Sequence, residues 1–200
     1  MADEEREALH DALRMAAVAL TEADIPFALC GSYAAWVRGA PEPEHDADFV
    51  IKEEHIDQAR AAIGAAGLDV HEPAENWLFK AYHKGQLVDV LYRMSGEPVH
   101  DELFERADVL EVLAVRMPVL SATDVISSKL RVLGEHYCDF GRLLPFTRAL
   151  REQIDWQRVR DEVSYSPYAR AFLQLVEDLQ IIEPATVSGG TAVSPAGRGG

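Results

Sequence analysis

Residues 30–51 read CGSYAAWVRGAPEPEHDADFVI, and their reading decides the fold. The short apolar run Phe27 to Cys30 stops at Gly31, which predicts a buried strand that turns at the glycine. Ser32 to Arg38 then reads as a short helix ended by Gly39 and Pro41, and Asp46 to Ile51 as a second strand. Side chains alternate along a strand, so Asp46 and Asp48 share one face while Ala47 points the other way. Two carboxylates held side by side repel each other and lose hydration unless a cation binds them, and hard oxygen ligands suit Mg²⁺ or Mn²⁺. His45, on the opposite face if the strand already begins there, is expected at the rim or in solvent.

Outward from this stretch, Asp3 to Thr21 carries Leu9, Leu13, Ala16, Ala17 and Leu20 at helical spacing. Ile56 to Ala66 is a further helix, closed by Gly67. Trp77 to His83 and Gln86 to Tyr92 read as an antiparallel pair joined at Lys84 and Gly85. Within QLVDVLY, Asp89 is an ionisable group in an otherwise apolar strand, so it too needs a partner. Asp46, Asp48 and Asp89 together can hold two metal ions. Gly31 allows close backbone approach, and Ser32 with the amides behind it offers donors to phosphate. From Ser121 to about Leu179 the pattern becomes entirely helical. Ser121 and Asp124 approximate a capping box, which assigns Asp124 to structure. Trp36, Trp77 and Trp156 are read as packing residues, as is Tyr33, although Tyr33 follows the Gly-Ser turn.

The expected architecture is therefore α+β, a small mixed β-sheet flanked by helices and followed by a C-terminal helical bundle. It divides into a catalytic domain over 1–120, a helical domain over 121–182 and a disordered tail over 183–200, where TVSGGTAVSPAGRGG has little to bury. The 200 residues carry a formal net charge of −15, which opposes a broad polyanion-binding surface. Basic residues do gather between Lys129 and Arg160, including Arg131, Arg142, Arg148, Arg151 and Arg158. Cys30 and Cys138 lie in no metal-type spacing. The acidic N-terminus lacks a secretory pattern, and no segment approaches a membrane span, so the expected location is cytoplasmic, without a membrane partner.

The Gly-Ser turn, the Asp-x-Asp pair and the later aspartate resemble the nucleotidyltransferase superfamily that shares its fold with DNA polymerase beta. Within it the chain resembles bacterial nucleotidyltransferase toxins of the AbiEii and MenT type, because SATDVISSKLRVLGEHYCDFGRLL, residues 121–144, matches their helical segment with a lysine and then an aspartate. The resemblance implies catalytic roles for Asp46, Asp48, Asp89, Lys129 and Asp139. It implies metal binding by the three strand aspartates, and nucleotide binding by Gly31, Ser32 and Lys129. Lys129 lies beside the apolar stripe of its helix, where it could reach a triphosphate or snorkel at the edge of a buried face. Asp139 reads equally as a base, as a group orienting Lys129, or as a helix cap. The implied reaction moves a nucleoside monophosphate from an NTP to a hydroxyl. A tRNA 3′ end is the acceptor in toxin systems, with an antitoxin as partner. An aminoglycoside, a lincosamide or a protein side chain fits the same chemistry, and two other classes stay open, a nucleotide-binding or antitoxin-like module without turnover and a structural interaction protein whose acidic surface meets a basic partner.

Overall fold

The computed structural model describes residues 3–185. Residues 186–200, most of the expected tail, lie outside the described residues. Nine strands and eight α-helices are described: α1 (Asp3–Glu22), β1 (Phe27–Cys30), α2 (Gly31–Val37), β2 (Asp46–Ile51), α3 (Ile56–Ala65), β3 (Asp69–His71), β4 (Leu78–His83), β5 (Gln86–Leu91), β6 (Arg93–Met94), β7 (Glu97–Pro98), α4 (Asp101–Glu105), β8 (Asp108–Val112), β9 (Val115–Val119), α5 (Ala122–Arg131), α6 (Phe140–Leu150), α7 (Trp156–Glu162) and α8 (Pro167–Asp178).

Seven strands form one mixed sheet in the order β3-β4-β5-β2-β1-β9-β8, and β6 pairs with β7 separately. β2 runs parallel to β5 and β1 parallel to β9, while the other pairs in the large sheet are antiparallel. Register puts Ala47 beside Val88 and Phe49 beside Val90, with Phe79 and Ala81 continuing that face from β4. All six are fully buried. Helices α1 and α3 cover the sheet, and α1 presents Leu9, Leu13, Ala16 and Leu20 at a spacing that keeps them on one buried stripe. Strand alternation then obliges Asp48 and Asp89 to lie on the opposite face.

The β4–β5 hairpin turns at Lys84 (φ 49°) and Gly85 (φ 80°), the pair of positive dihedrals a two-residue turn matched to strand twist demands. β8 and β9 form another hairpin, which the sequence reading passed over. Its turn residues are Leu113 (φ 51°) and Ala114 (φ 64°), neither of the types that normally mark such a turn.

Downstream of Leu120 the sheet gives way to helices. They are not continuous, because residues 132–139 form a loop containing an isolated bridge between Gly134 and Tyr137. Ser121 caps α5 by accepting from the Asp124 amide at 3.1 Å, as the capping-box reading expected. α5 packs on α2, and one hydrophobic core extends from Leu9 through Leu130 to Ile182. Among the described residues no helix is long and apolar enough to cross a membrane.

Candidate functional site

The geometry at the end of β1 is set by Gly31. Its φ of +60° is a left-handed conformation, and a Cβ at this position would lie 1.9 Å from Asp48 Oδ2. Glycine therefore serves both the turn and the packing of a carboxylate against bare backbone. The Ser32 amide donates to Asp48, and Ser32 Oγ accepts from Lys129 Nζ at 3.2 Å.

Cys30 stands beside Asp48 across β1–β2, and Asp48 stands beside Asp89 across β2–β5. Asp46, two residues before Asp48, joins them on the same face. Each of the three aspartates offers a carboxylate oxygen such that all three oxygens lie within 4.8 Å of one another. Burial, followed by the charges of Asp46 and Asp89, pushes Asp48 up to about 7, against the pull of Lys129 and the Ser32 amide. Burial raises Asp89 as well, with Lys80 opposing it. Hard oxygen donors that repel each other this closely fit a divalent cation such as Mg²⁺ or Mn²⁺.

Lys80 is a member of the site that the sequence reading missed. On β4 it sits directly opposite Asp89, its ammonium 3.0 Å from Oδ1. Lys129 approaches from α5. Burial lowers its affinity for a proton, while Asp48, Cys30 and Asp46 push the other way. Its ammonium lies 4.8 Å from the centre of the Phe146 ring, a cation–π contact.

Two cavities flank the acidic cluster. One, of about 300 Å³, includes Ser32, Asp46, Lys129, Asp139 and Phe146 in its walls. The other, of about 360 Å³, includes Gly31, Asp48, Asp89, Trp77 and Lys129. Asp46, Lys129, Val132 and Tyr137 belong to both. Gly31, Ser32, Asp46, Asp48, Asp89 and Lys129 are thus brought together. Asp139 is not one of the three clustered carboxylates, although it lines the same cavity as Asp46 and Lys129. It caps α6, accepting from the Arg142 amide at 3.3 Å and pairing with the Arg142 guanidinium at 3.2 Å.

Trp77 departs from its expected packing role, because it is 40% exposed and lines the cavity that holds the aspartates. Tyr137 and Val132, 59% and 51% exposed, stand with it. A patch of exposed apolar side chains around a charged cluster is a surface suited to ring-bearing ligands. Trp36 and Trp156 do pack against the core, and Tyr33, on α2, is fully buried. His45 is exposed on the cavity rim.

No protein-family model matches the chain, and no curated protein matches it. Solved structures do. The chain is similar to the antibiotic-resistance factor ANT(2'')-Ia, with a TM-score of 0.60 at 13% identity, over 86% of this chain and 96% of that one. It is similar to the antigenic nucleotidyltransferase-like protein of Paracoccidioides brasiliensis, with a TM-score of 0.50 at 12% identity, over 87% and 89% of the two chains. A third match is the lincosamide antibiotic adenylyltransferase LnuA in its lincomycin-bound form, with a TM-score of 0.50 at 10% identity, over 70% and 95%. Identities this low speak to architecture, and the shared architecture is the nucleotidyltransferase fold, as the sequence reading expected.

Proposed function

We propose that the chain is a divalent-metal-dependent nucleotidyltransferase that moves a nucleoside monophosphate from an NTP to a hydroxyl of a small acceptor. The observation that carries this reading is the convergence of Asp46, Asp48 and Asp89 within 4.8 Å beside the Gly31 turn, in a fold shared with known nucleotidyltransferases. Asp46 and Asp48 would hold the metal, with Asp89 completing the set. Bound there, Mg²⁺ or Mn²⁺ supplies charge neutralisation at the phosphates and lowers the pKa of the attacking hydroxyl.

Lys129 and Ser32, already in contact, grip the triphosphate on their side of the cluster. On the other side the acceptor enters past Trp77. Its oxygen attacks the α-phosphorus as the bond to pyrophosphate breaks, and Asp89 takes the hydroxyl proton. Fixed carboxylates and an ammonium placed before substrate arrives give electrostatic preorganisation to this step.

Three features favour a small acceptor over a tRNA 3′ end or a protein side chain. The net charge of −15 repels a polyanion. Of the arginines between residues 129 and 160, Arg131, Arg142, Arg151, Arg158 and Arg160 each pair with a carboxylate, which leaves little of that basic cluster to follow a phosphate backbone. Cavities of 300–360 Å³ match drug-sized molecules. ANT(2'')-Ia has been seen with adenylyl-2''-tobramycin, and a hydroxylated acceptor of that order suits this cleft.

Incubation of the protein with Mg²⁺, each α-labelled NTP and either a panel of small hydroxylated acceptors, cationic drugs of the aminoglycoside and lincosamide type and anionic sugar derivatives alike, or total tRNA tests the reading. Label should pass to a drug-sized acceptor and vanish with Asp46→Asn or Asp48→Asn. Label on tRNA would replace the acceptor class. Undiminished transfer by both variants would end the metal-site assignment, and nucleotide binding without transfer to any acceptor would leave a binding module.

A further inference from the structure

Helix α5 is the wall between two cavities. Ser128, Lys129 and Val132 line the one that holds the aspartates. Ser127 and Arg131, one turn apart and so on one face of the helix, line a separate cavity of about 360 Å³ on its other side. Met94, Ser95 and Ser128 border both, so the second cavity opens onto the acceptor side of the first.

The inner wall of this second cavity is a built ionic network. Asp124, nearly buried, receives Arg106 Nη2 at 2.9 Å and also Arg158. Glu162 receives Arg158 Nε at 2.7 Å and Arg131 Nη2 at 3.3 Å. On the inner wall three guanidiniums share two carboxylates, while Glu97 and Glu102 bring the carboxylates of the whole lining to four. The other ionisable side chains there, Glu97, His100 and Glu102, are exposed. Two donors on the inner wall have no acceptor: Ser127 Oγ, on a residue 3% exposed, and the buried Nε of Arg131. Buried donors almost always find a partner, and both of these belong to residues lining one cavity.

We propose that this cavity binds an anionic oxygen group, a carboxylate or phosphate ester, with Ser127 and Arg131 as its donors. Resting on the transferase reading above, it is the distal subsite of the acceptor. The acceptor is then a small molecule with a hydroxyl at one end, delivered to Asp89, and an anionic group at the other, held behind Met94 and Ser95. The guanidiniums gathered on the inner wall draw the anion past the exposed glutamates, and the two unmet donors fix its position.

Titrations of inorganic phosphate, glycerol 3-phosphate and gluconate into ¹⁵N-labelled full-length protein, followed by amide chemical shifts, test the subsite. Lys129→Met serves as background to remove the phosphate grip beside Ser32. At least one probe should shift the amides of Ser127–Arg131 and Arg106 saturably, with affinity at least about fivefold weaker in Ser127→Ala and in Arg131→Met. Arg131→Lys, which keeps the charge, guards against simple unfolding and should lose part of the affinity. Equal affinity in Ser127→Ala and Arg131→Met, shifts confined to Ser32 and its neighbours, or no saturable binding by any probe would overturn the proposal. Failure of the transferase reading shows separately, as absence of Mg·NTP binding and transfer with the anion titration unchanged.

Discussion

Lys80 and Asp89 face each other across the β4–β5 hairpin, and the ammonium lies 3.0 Å from one carboxylate oxygen and 3.4 Å from the other. It is the internal counter-ion of a cluster that otherwise repels itself. Lys80→Met should cost the metal-free protein about 1–3 kcal/mol, because Asp89 is left charged and without its cation partner. The same change removes a competitor for Asp89, so Mn²⁺ should bind the variant more tightly. Urea unfolding and Mn²⁺ titration by electron paramagnetic resonance measure the two effects, and unchanged Mn²⁺ affinity would separate Lys80 from the metal site.

Gly31→Ala places a methyl where Asp48 Oδ2 already is, at a φ of +60°. A loss of about 2 kcal/mol or more is expected. Because the clash is with one side chain, Asp48→Ala should recover part of that loss, and a double-mutant cycle reads the recovery as coupling. Additive losses would place the cost of Gly31→Ala in backbone strain alone.

Asp48 makes metal-free stability depend on pH. Its carboxyl is pushed up to about 7 in the folded protein, from an ordinary value of 3.8. The folded state therefore holds a proton that the unfolded chain has released, and stability falls as pH rises from about 4 to above 7, by up to about 4 kcal/mol. Thermal melts between pH 5 and 8 without metal should show this decline, and saturating Mn²⁺ should reverse it at the alkaline end. In Asp48→Asn the contribution disappears, so a variant with the same pH profile would contradict the assignment.

Ala114 is exposed and held at φ 64° in the β8–β9 turn. Ala114→Gly should stabilise the protein by about 1 kcal/mol by relieving the left-handed strain, which exceeds the added entropy of the unfolded chain. Chemical denaturation measures it, and a destabilised variant would show that the turn is not strained.

The strand alternation in 46–51 and 86–91 made the carboxylate face legible before any coordinates, because period-two patterns report the face directly. The hairpin at Lys84 and Gly85 also fixes which residues face each other across it. Its register already places Lys80 opposite Asp89, yet a lysine in a strand reads as solvent-facing when considered alone. β8 and β9 stayed hidden because Leu113 and Ala114 carry no turn chemistry, so tertiary packing imposes what local preference disfavours. Hydrophobicity alone assigns Trp77 to packing and does not report that the start of β4 opens onto a cavity. The sequence around Asp139 suits catalysis and capping equally, and the contacts it makes in the fold are those of a cap.

The division of labour along α5 constrains how this chain can change over time. Ser127 and Arg131 serve one chamber and Lys129 the other, and consecutive helical positions are separated by about 100°. Inserting or deleting one residue early in this helix would rotate every later side chain out of its chamber at once, so homologues with two intact chambers should differ here by substitution and never by length.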